Sequence, residues 1–361
     1  MSSPRRPRVS VVIPSHNSAR YLGCAIESVL AQTLTDLELI VIDDGSSDDT
    51  MAVAAAHDDP RIRLVRQEAR RGIAATRNHG LALARGDYMA SLDADDWAHP
   101  QRLARQVAFL DAHRDHAVVG SWAAWMDADG QPRPGITRRP TRADDAAAQL
   151  IFKSCLQQPS VTGRTDVLRD IGYDETFDLS SDYDLWVRLA EYHRMTSQPL
   201  ALVRCRRHPT STTRGKSARV IARQHAIFAY QFDRLGMDYT AADLDRHRLI
   251  WRSGKHAAPM QDDDLDWSEQ WLARLAEANR RTRYYPLAAF EAVLGLGWLH
   301  MCRSAARQGA VSALARAVRS PLRVSARRAI GREIATRWVD RSARPALTPG
   351  RGAHDAPGSS S

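Results

Sequence analysis

Leu37-Glu38-Leu39-Ile40-Val41-Ile42-Asp43-Asp44-Gly45-Ser46 decides the fold. Its apolar run, broken only by Glu38, reads as a strand of the kind buried in parallel sheets. Two acids and a glycine stop the strand in a tight turn, and the polar residues 47–50 offer N-caps for a helix over 51–57. Upstream, residues 9–13 form a β-rich run ending at Pro14. The turn residues Ser15-His16-Asn17-Ser18 follow, and then a helix over 20–32 with Leu22, Ile26, Val29 and Leu30 on one face. Downstream, a third strand is predicted at 62–65, a helix over 72–84 closing on Arg85-Gly86, and a fourth strand at 88–92. This alternation implies right-handed βαβ units and a mostly parallel sheet. Ligands bind such sheets beyond the carboxyl ends of the strands, which puts residues 14–17, 43–46 and 93–96 along one rim.

The fourth strand ends in Asp93-Ala94-Asp95-Asp96-Trp97. Three carboxylates within four residues repel one another, and oxygen ligands suit Mg²⁺ or Mn²⁺, so the cluster reads either as a cation site or as a solvated Asp-rich turn. Arg77 reads as a phosphate contact or an exposed helix arginine. Asp182, in Ser181-Asp182-Tyr183-Asp184-Leu185-Trp186, starts a helix whose N-terminus favours its ionised form; it reads as a general base or as an ordinary first-turn acid. His208, in Arg206-Arg207-His208-Pro209, is a ligand candidate or a structural histidine.

Past Pro100 a helix is expected to residue 113 and a strand at 118–125, with a Pro-, Gly- and Arg-rich loop at 127–141 free to lie over the rim. Helices follow at 142–153 and 164–171, and a strand at 196–205. From Ala218 onward the pattern is helical. The stretch 284–302 is too interrupted, by Pro286, Glu291 and His300, to read as a membrane span. Two basic amphipathic helices come late, one with Val311, Leu314 and Val318 on a face and one with the stripe Leu322, Ala326, Ile330, Ile334 and Trp338.

A chain of 361 residues with 43% hydrophobic and 26% charged residues has room for a main domain and an appendage. Between Arg303 and Arg344 there are eleven Arg against two acids, a net +9 equal to the charge of the whole chain. The body is therefore about neutral, and the tail alone calls for a charged partner. No interleaved aromatics support nucleic-acid binding there. The four cysteines, Cys24, Cys155, Cys205 and Cys302, are far apart and read as reduced thiols. No secretory signal is evident in the first residues.

Val9-Ser10-Val11-Val12-Ile13-Pro14-Ser15-His16-Asn17 resembles the opening of glycosyltransferase family 2. Residues 27–33, Asp43-Asp44-Gly45-Ser46, Arg77-Asn78-His79-Gly80 and Leu92-Asp93-Ala94-Asp95-Asp96 resemble the family's next signatures in order. The resemblance runs from about Arg8 to His208. It implies an α/β fold of the GT-A type, a mostly parallel sheet sandwiched by helices, with a helical C-terminal extension. It also implies metal-dependent transfer of a sugar, with inversion, from a nucleotide-sugar donor, a UDP-sugar first. Carried over by position, Pro14, Asn17 and Asp44 match nucleotide contacts, Arg77 the basic residue near the diphosphate, and Asp93 the donor-side acid. Asp95 matches the ligand of Mn²⁺ or Mg²⁺, Asp182 the catalytic base, and His208 a histidine near the metal. His16, Ser181 and Arg70-Arg71-Gly72 depart from the usual pattern, and the extra arginines suit a more anionic donor or acceptor.

The expected organisation is a flexible N-terminus (1–8), a catalytic domain (9–214), a helical basic region (215–344) and a disordered tail (345–361). The expected acceptor is a hydroxyl of a cell-surface polysaccharide or glycolipid, with the enzyme cytoplasmic and peripheral on the inner face of the membrane through its basic helices. The competing classes are an inactive nucleotide-sugar-binding scaffold and a nucleotidyltransferase; the latter lacks a Gly-rich phosphate loop after the first strand.

Overall fold

A computed structural model describes residues 6–208, 217–251, 262–308, 310 and 312–325. Within them nine strands form one sheet: β1 Val9–Ser15, β2 Leu37–Asp43, β3 Ile62–Arg66, β4 Tyr88–Ser91, β5 Trp97–Ala98, β6 His116–Met126, β7 Pro132–Thr137, β8 Thr162–Arg164 and β9 Arg194–Arg206. The helices are α1 Ala19–Leu30, α2 Thr50–Ala55, α3 Ile73–Leu83, α4 Arg102–Ala112, α5 Ala143–Gln149, α6 Thr165–Ile171 and α7 Ser181–Leu189. After them come α8 Ser217–Arg234, α9 Ala241–Leu249, α10 Asp262–Thr282, α11 Leu287–Arg307 and α12 Ser312–Arg319.

The strand order is β3-β2-β1-β4-β8-β6-β9-β5, with β7 hairpinned onto β6. Strands β1 to β4 pair in parallel, as the buried apolar runs of β1, β2 and β4 predict. Beyond β4 antiparallel pairing enters through the three-residue β8, while β6 and β9 pair in parallel. The loop expected at 127–141 instead contains β7, the second arm of a hairpin that pairs with the end of β6.

Alternation along β1 divides the core into two layers. Val9, Val11 and Ile13 face α1 and α4, packing with Leu22, Ile26, Leu103 and Val107. Val12, with Ile40 and Ile42 of β2, faces α3 and a larger cluster. Helix α3 lies very close to the sheet at Gly80, where a Cβ would fall 2.4 Å from Val12 Cγ1. The charged exception in β2, buried Glu38, accepts from Ser10 Oγ at 2.6 Å and from Arg85 Nη2 at 2.6 Å.

The larger cluster runs without a break from the sheet into the C-terminal helices. Leu185 and Trp186 of α7 share it with Phe228, Trp271 and Trp298 of α8, α10 and α11. Buried His247 ties the two parts together: its Nε2 lies 2.7 Å from the carbonyl of Ile151, and Trp271 Nε1 donates to its Nδ1 at 2.9 Å. Helix α11 covers most of the interrupted stretch 284–302 and buries Phe290, Leu294, Trp298 and Met301 in this core. Among the described residues no helix is long and apolar enough to cross a membrane. The boundary drawn near Gly215, the stripe residues beyond Leu322 and the tail 345–361 lie outside the described residues.

Candidate active site

The carboxyl ends of β1, β2 and β4 meet along one rim, as the parallel topology requires. Asn17, at φ 50°, turns the chain between β1 and α1. Its backbone N–H donates to Ser46 Oγ at 2.8 Å, and its Oδ1 accepts from Ser47 N at 2.9 Å. The segment after Pro14 is thereby fastened to the turn after β2. Asp44 is buried, and its carboxylate accepts from the backbone N–H groups of Arg71 at 2.6 Å and Gly72 at 3.0 Å. The departure Arg70-Arg71-Gly72 therefore forms a loop clamped by its backbone. The Arg71 side chain reaches outward to within 4.0 Å of Glu175.

Arg77 is buried. Its Nη2 lies 3.2 Å from Asp93 Oδ1, and its guanidinium sits 5.6 Å from the centroid of the Tyr173 ring. Arg77 is thus not the exposed helix arginine that its sequence also allowed. Tyr173 is fixed in turn by Gln158 Nε2, which donates to its hydroxyl at 2.8 Å. Asp182, in the first turn of α7, is half-buried and lies within electrostatic reach of both Arg77 and Asp93.

The three acids of the turn have different surroundings. Asp95 is partly exposed, and its Oδ2 lies 2.8 Å from His208 Nε2. Asp96 is buried and accepts from the backbone N–H of Arg206 at 2.8 Å, so it shapes the turn. Burial, then the charges of Asp95 and Asp93, hold the Asp96 carboxyl well above the usual range, against the opposing Arg206 bond. Burial also raises Asp93, with Arg77 opposing and Asp95 adding. Beneath the turn, buried Arg102 donates to the carbonyls of Ser91 at 2.7 Å and Val161 at 2.9 Å. Burial brings its guanidinium down to about 9, with Asp96 the first group opposing.

Arg206 is a site residue that motif reading did not single out. Its Nε donates to the Asp95 carbonyl at 2.8 Å, its Nη1 to the carbonyls of Asp127 at 3.2 Å and Ala128 at 3.0 Å, and its guanidinium lies 4.7 Å from the centroid of the Tyr21 ring. Tyr21 also packs on His208, with ring centroids 4.9 Å apart. Arg206 thus joins the acidic turn, the β6–β7 turn and α1, and it holds the backbone that presents Asp95. Strand alternation was the available signal, since residues 206 and 208 share a face of an extended chain.

All the sequence-predicted site residues from Asn17 to His208 accordingly stand on or behind one rim, with Pro14 next to last in β1. An oxygen of Asp95, the ligand type that Mn²⁺ and Mg²⁺ favour, and an imidazole nitrogen of His208 converge here. No group of three or more His, Cys, Asp or Glu is arranged for a metal among the described residues. Such a cation would complete its shell with water and donor phosphate oxygens, which is how Mg²⁺ ordinarily binds at nucleotide sites.

A curled α/β sheet flanked by helices, with an acidic rim at the ends of its parallel strands, defines the GT-A class of fold. The S. aureus TarS 1–349 structure in complex with UDP-GlcNAc superposes with a TM-score of 0.53 at 19% identity, over 83% of this chain and 89% of that one. Residues 10–172 match the model of glycosyl transferase family 2. Among curated relatives, the putative glycosyltransferase EpsE of Bacillus subtilis is 41% identical over 147 residues, 37% of this chain and 53% of EpsE. The succinoglycan biosynthesis protein ExoU of Rhizobium meliloti is 33% identical over 202 residues, 50% of this chain and 56% of ExoU. The chain thus spans about half the length of these two relatives.

Proposed function

We propose that this protein is a metal-dependent inverting glycosyltransferase that moves a sugar from a UDP-sugar to a hydroxyl of a cell-surface polysaccharide or glycolipid. The observation that carries this reading is the convergence of Arg77, Asp93, Asp95, Asp182 and His208 on one rim. The named role of ExoU in succinoglycan biosynthesis and the UDP-GlcNAc bound by TarS support the acceptor and donor classes.

In this reading Pro14, Asn17 and Asp44 line the nucleotide end of the rim, with Asp44 also fixing the loop at residues 71–72. Arg77, held in place by Asp93 and Tyr173, meets the diphosphate with charge-assisted bonds. Asp95 and His208 would hold Mn²⁺ or Mg²⁺, which would supply charge neutralisation for the departing nucleoside diphosphate. Asp93 orients the donor sugar. Asp182 takes the proton from the acceptor hydroxyl as that oxygen attacks the anomeric carbon from the side opposite the leaving group. The bond to the diphosphate oxygen breaks as the new glycosidic bond forms, so the configuration inverts.

The test is a thermal-shift screen of nucleotide sugars with Mn²⁺, followed by donor hydrolysis by the wild type and Asp95→Ala. A UDP-sugar should raise the melting temperature by mass action, and hydrolysis should disappear in the variant or with a chelator. Stabilisation without hydrolysis in the wild type would instead indicate a binding scaffold.

The reading extends to the membrane surface. Helix α12 carries Arg316 and Arg319, with Val318 61% exposed, at the start of the basic segment. A basic amphipathic surface of this kind seats on anionic headgroups. Cosedimentation with anionic liposomes, abolished on deleting the segment after Gln308, is the expected result; no binding by the full chain refutes it.

A further inference from the structure

Between His208 and Asp182 a chain of side-chain contacts includes two cations that the proposed donor reaction leaves unused. Arg207 follows the strand β9, its backbone N–H bonded to the Met126 carbonyl at 3.0 Å. Its exposed guanidinium lies 3.8 Å from the centroid of the Trp125 ring. Trp125 in turn packs on Ala123, Val203 and Cys205. Next in this series, Gln157 Nε2 donates to Cys205 Sγ at 3.7 Å, and Arg139 Nη2 donates to Gln157 Oε1 at 2.9 Å. Arg139 also donates through Nη1 to the Ser154 carbonyl at 3.0 Å, while its buried Nε has no hydrogen-bond partner. Asp182 stands within electrostatic reach of Arg139.

We propose that this set of residues is the acceptor subsite and that it selects an acceptor carrying an anionic group, a carboxylate or a phosphate, beside the hydroxyl that is glycosylated. The inference rests on the glycosyltransferase reading above and adds the charge of its acceptor. A guanidinium stacked on an indole keeps its plane against the ring and turns its N–H edge outward, already oriented for a planar or tetrahedral oxyanion. Neither Arg139 nor Arg207 is ion-paired with an Asp or Glu among the described residues. Exposed Arg207, with no acid paired to it among the described residues, favours a ligand that brings negative charge of its own, and Arg139 adds positive charge that it shares with Asp182. The ligand would seat its charge on Arg207 and Arg139 while the neighbouring hydroxyl faces Asp182.

The experiment measures binding by calorimetry in the presence of UDP and Mn²⁺, with two probe pairs. One is a glucuronate-terminated tetrasaccharide and its carboxyl-reduced counterpart; the other is a phosphorylated disaccharide and its dephosphorylated parent. The wild type should prefer the charged member of at least one pair by about tenfold or more, the scale of a charged hydrogen bond. The pair that discriminates identifies carboxylate or phosphate as the source. Arg207→Gln should bring that preference down to about threefold or less, with melting temperature as the folding control, and Arg207→Lys should restore it only in part because the planar stack is lost. A wild-type preference below tenfold in both pairs, or one that stays above threefold in Arg207→Gln, overturns the proposal. Wild-type hydrolysis of a UDP-sugar is measured alongside: when it is present and the preference absent, only the acceptor inference falls; when no nucleotide sugar is hydrolysed, both readings fall.

Discussion

Acidification should loosen the link between the sheet and the C-terminal helices at one identifiable residue. His247 is buried among Phe152, Phe228, Phe232 and Trp271, and its two ring nitrogens are both engaged, at Ile151 and Trp271. Burial lowers it from 6.5 to about 4, with the Ile151 bond opposing. Accepting from Trp271 Nε1 requires Nδ1 to be unprotonated, so the folded state holds the neutral ring. Above pH 6.5 the imidazole is neutral in both the folded and the unfolded chain and has no effect. As the pH falls below 6.5 the unfolded chain takes up the proton first, and stability declines until the folded form also titrates near 4. The linkage amounts to about 3 kcal/mol in full and about 2 kcal/mol at pH 5. Urea unfolding followed by tryptophan fluorescence at pH 7.5 and pH 5.0 measures it. Between those values the wild type should lose about 2 kcal/mol more than His247→Gln, whose amide can donate and accept but does not titrate. The raised carboxyls, Asp96 among them, contribute a slope of opposite sign to both proteins and cancel in the difference. Equal losses for the two proteins would refute the assignment.

Asp182→Asn should lower transfer to the acceptor by about 10²–10⁴-fold while leaving UDP affinity in calorimetry close to the wild-type value, because the base acts on the acceptor oxygen. Arg206→Ala removes the bond that holds the Asp95 carbonyl, so the Mn²⁺ concentration for half-maximal donor hydrolysis should rise about 10–100-fold, as for other residues that orient a metal ligand. Gly80→Ala sets a methyl 2.4 Å from Val12 Cγ1 and should cost about 1–3 kcal/mol in urea unfolding, since α3 has to lift off the sheet.

The parallel half of the fold was legible because its signal is local. The apolar runs of β1, β2 and β4 are long enough to show burial on both faces, and each stops at turn chemistry. Strands β5 and β8 have two and three residues, too few for any period, and exist because the neighbouring strands offer free edges. Strand β7 was obscured by its prolines and Gly135, which suit an edge strand that pairs on one side. In the site, Asp44, Asp95 and His208 stand at strand ends or just beyond them, where a motif announces them. Arg102 and Arg206 were hidden because their parts depend on carbonyls distant in sequence, which no spacing reveals. Asp96 could be separated from its neighbours only once the bond from Arg206 was seen.

The unbroken core that runs from α7 into the C-terminal helices sets where this protein can be recombined with its relatives. Helix α7 carries Asp182 on its first turn and presses Leu185 and Trp186 against partners contributed by α8, α10 and α11. A crossover placed after α7 would marry the proposed base of one parent to the helical backing of another and leave mismatched aromatic surfaces behind Asp182. A crossover between α6 and α7, near the end of the family segment at residue 172, keeps the base and its backing together. Chimeras built there should exchange acceptor preference as a unit while retaining the donor half of the parent that supplies residues 10–172.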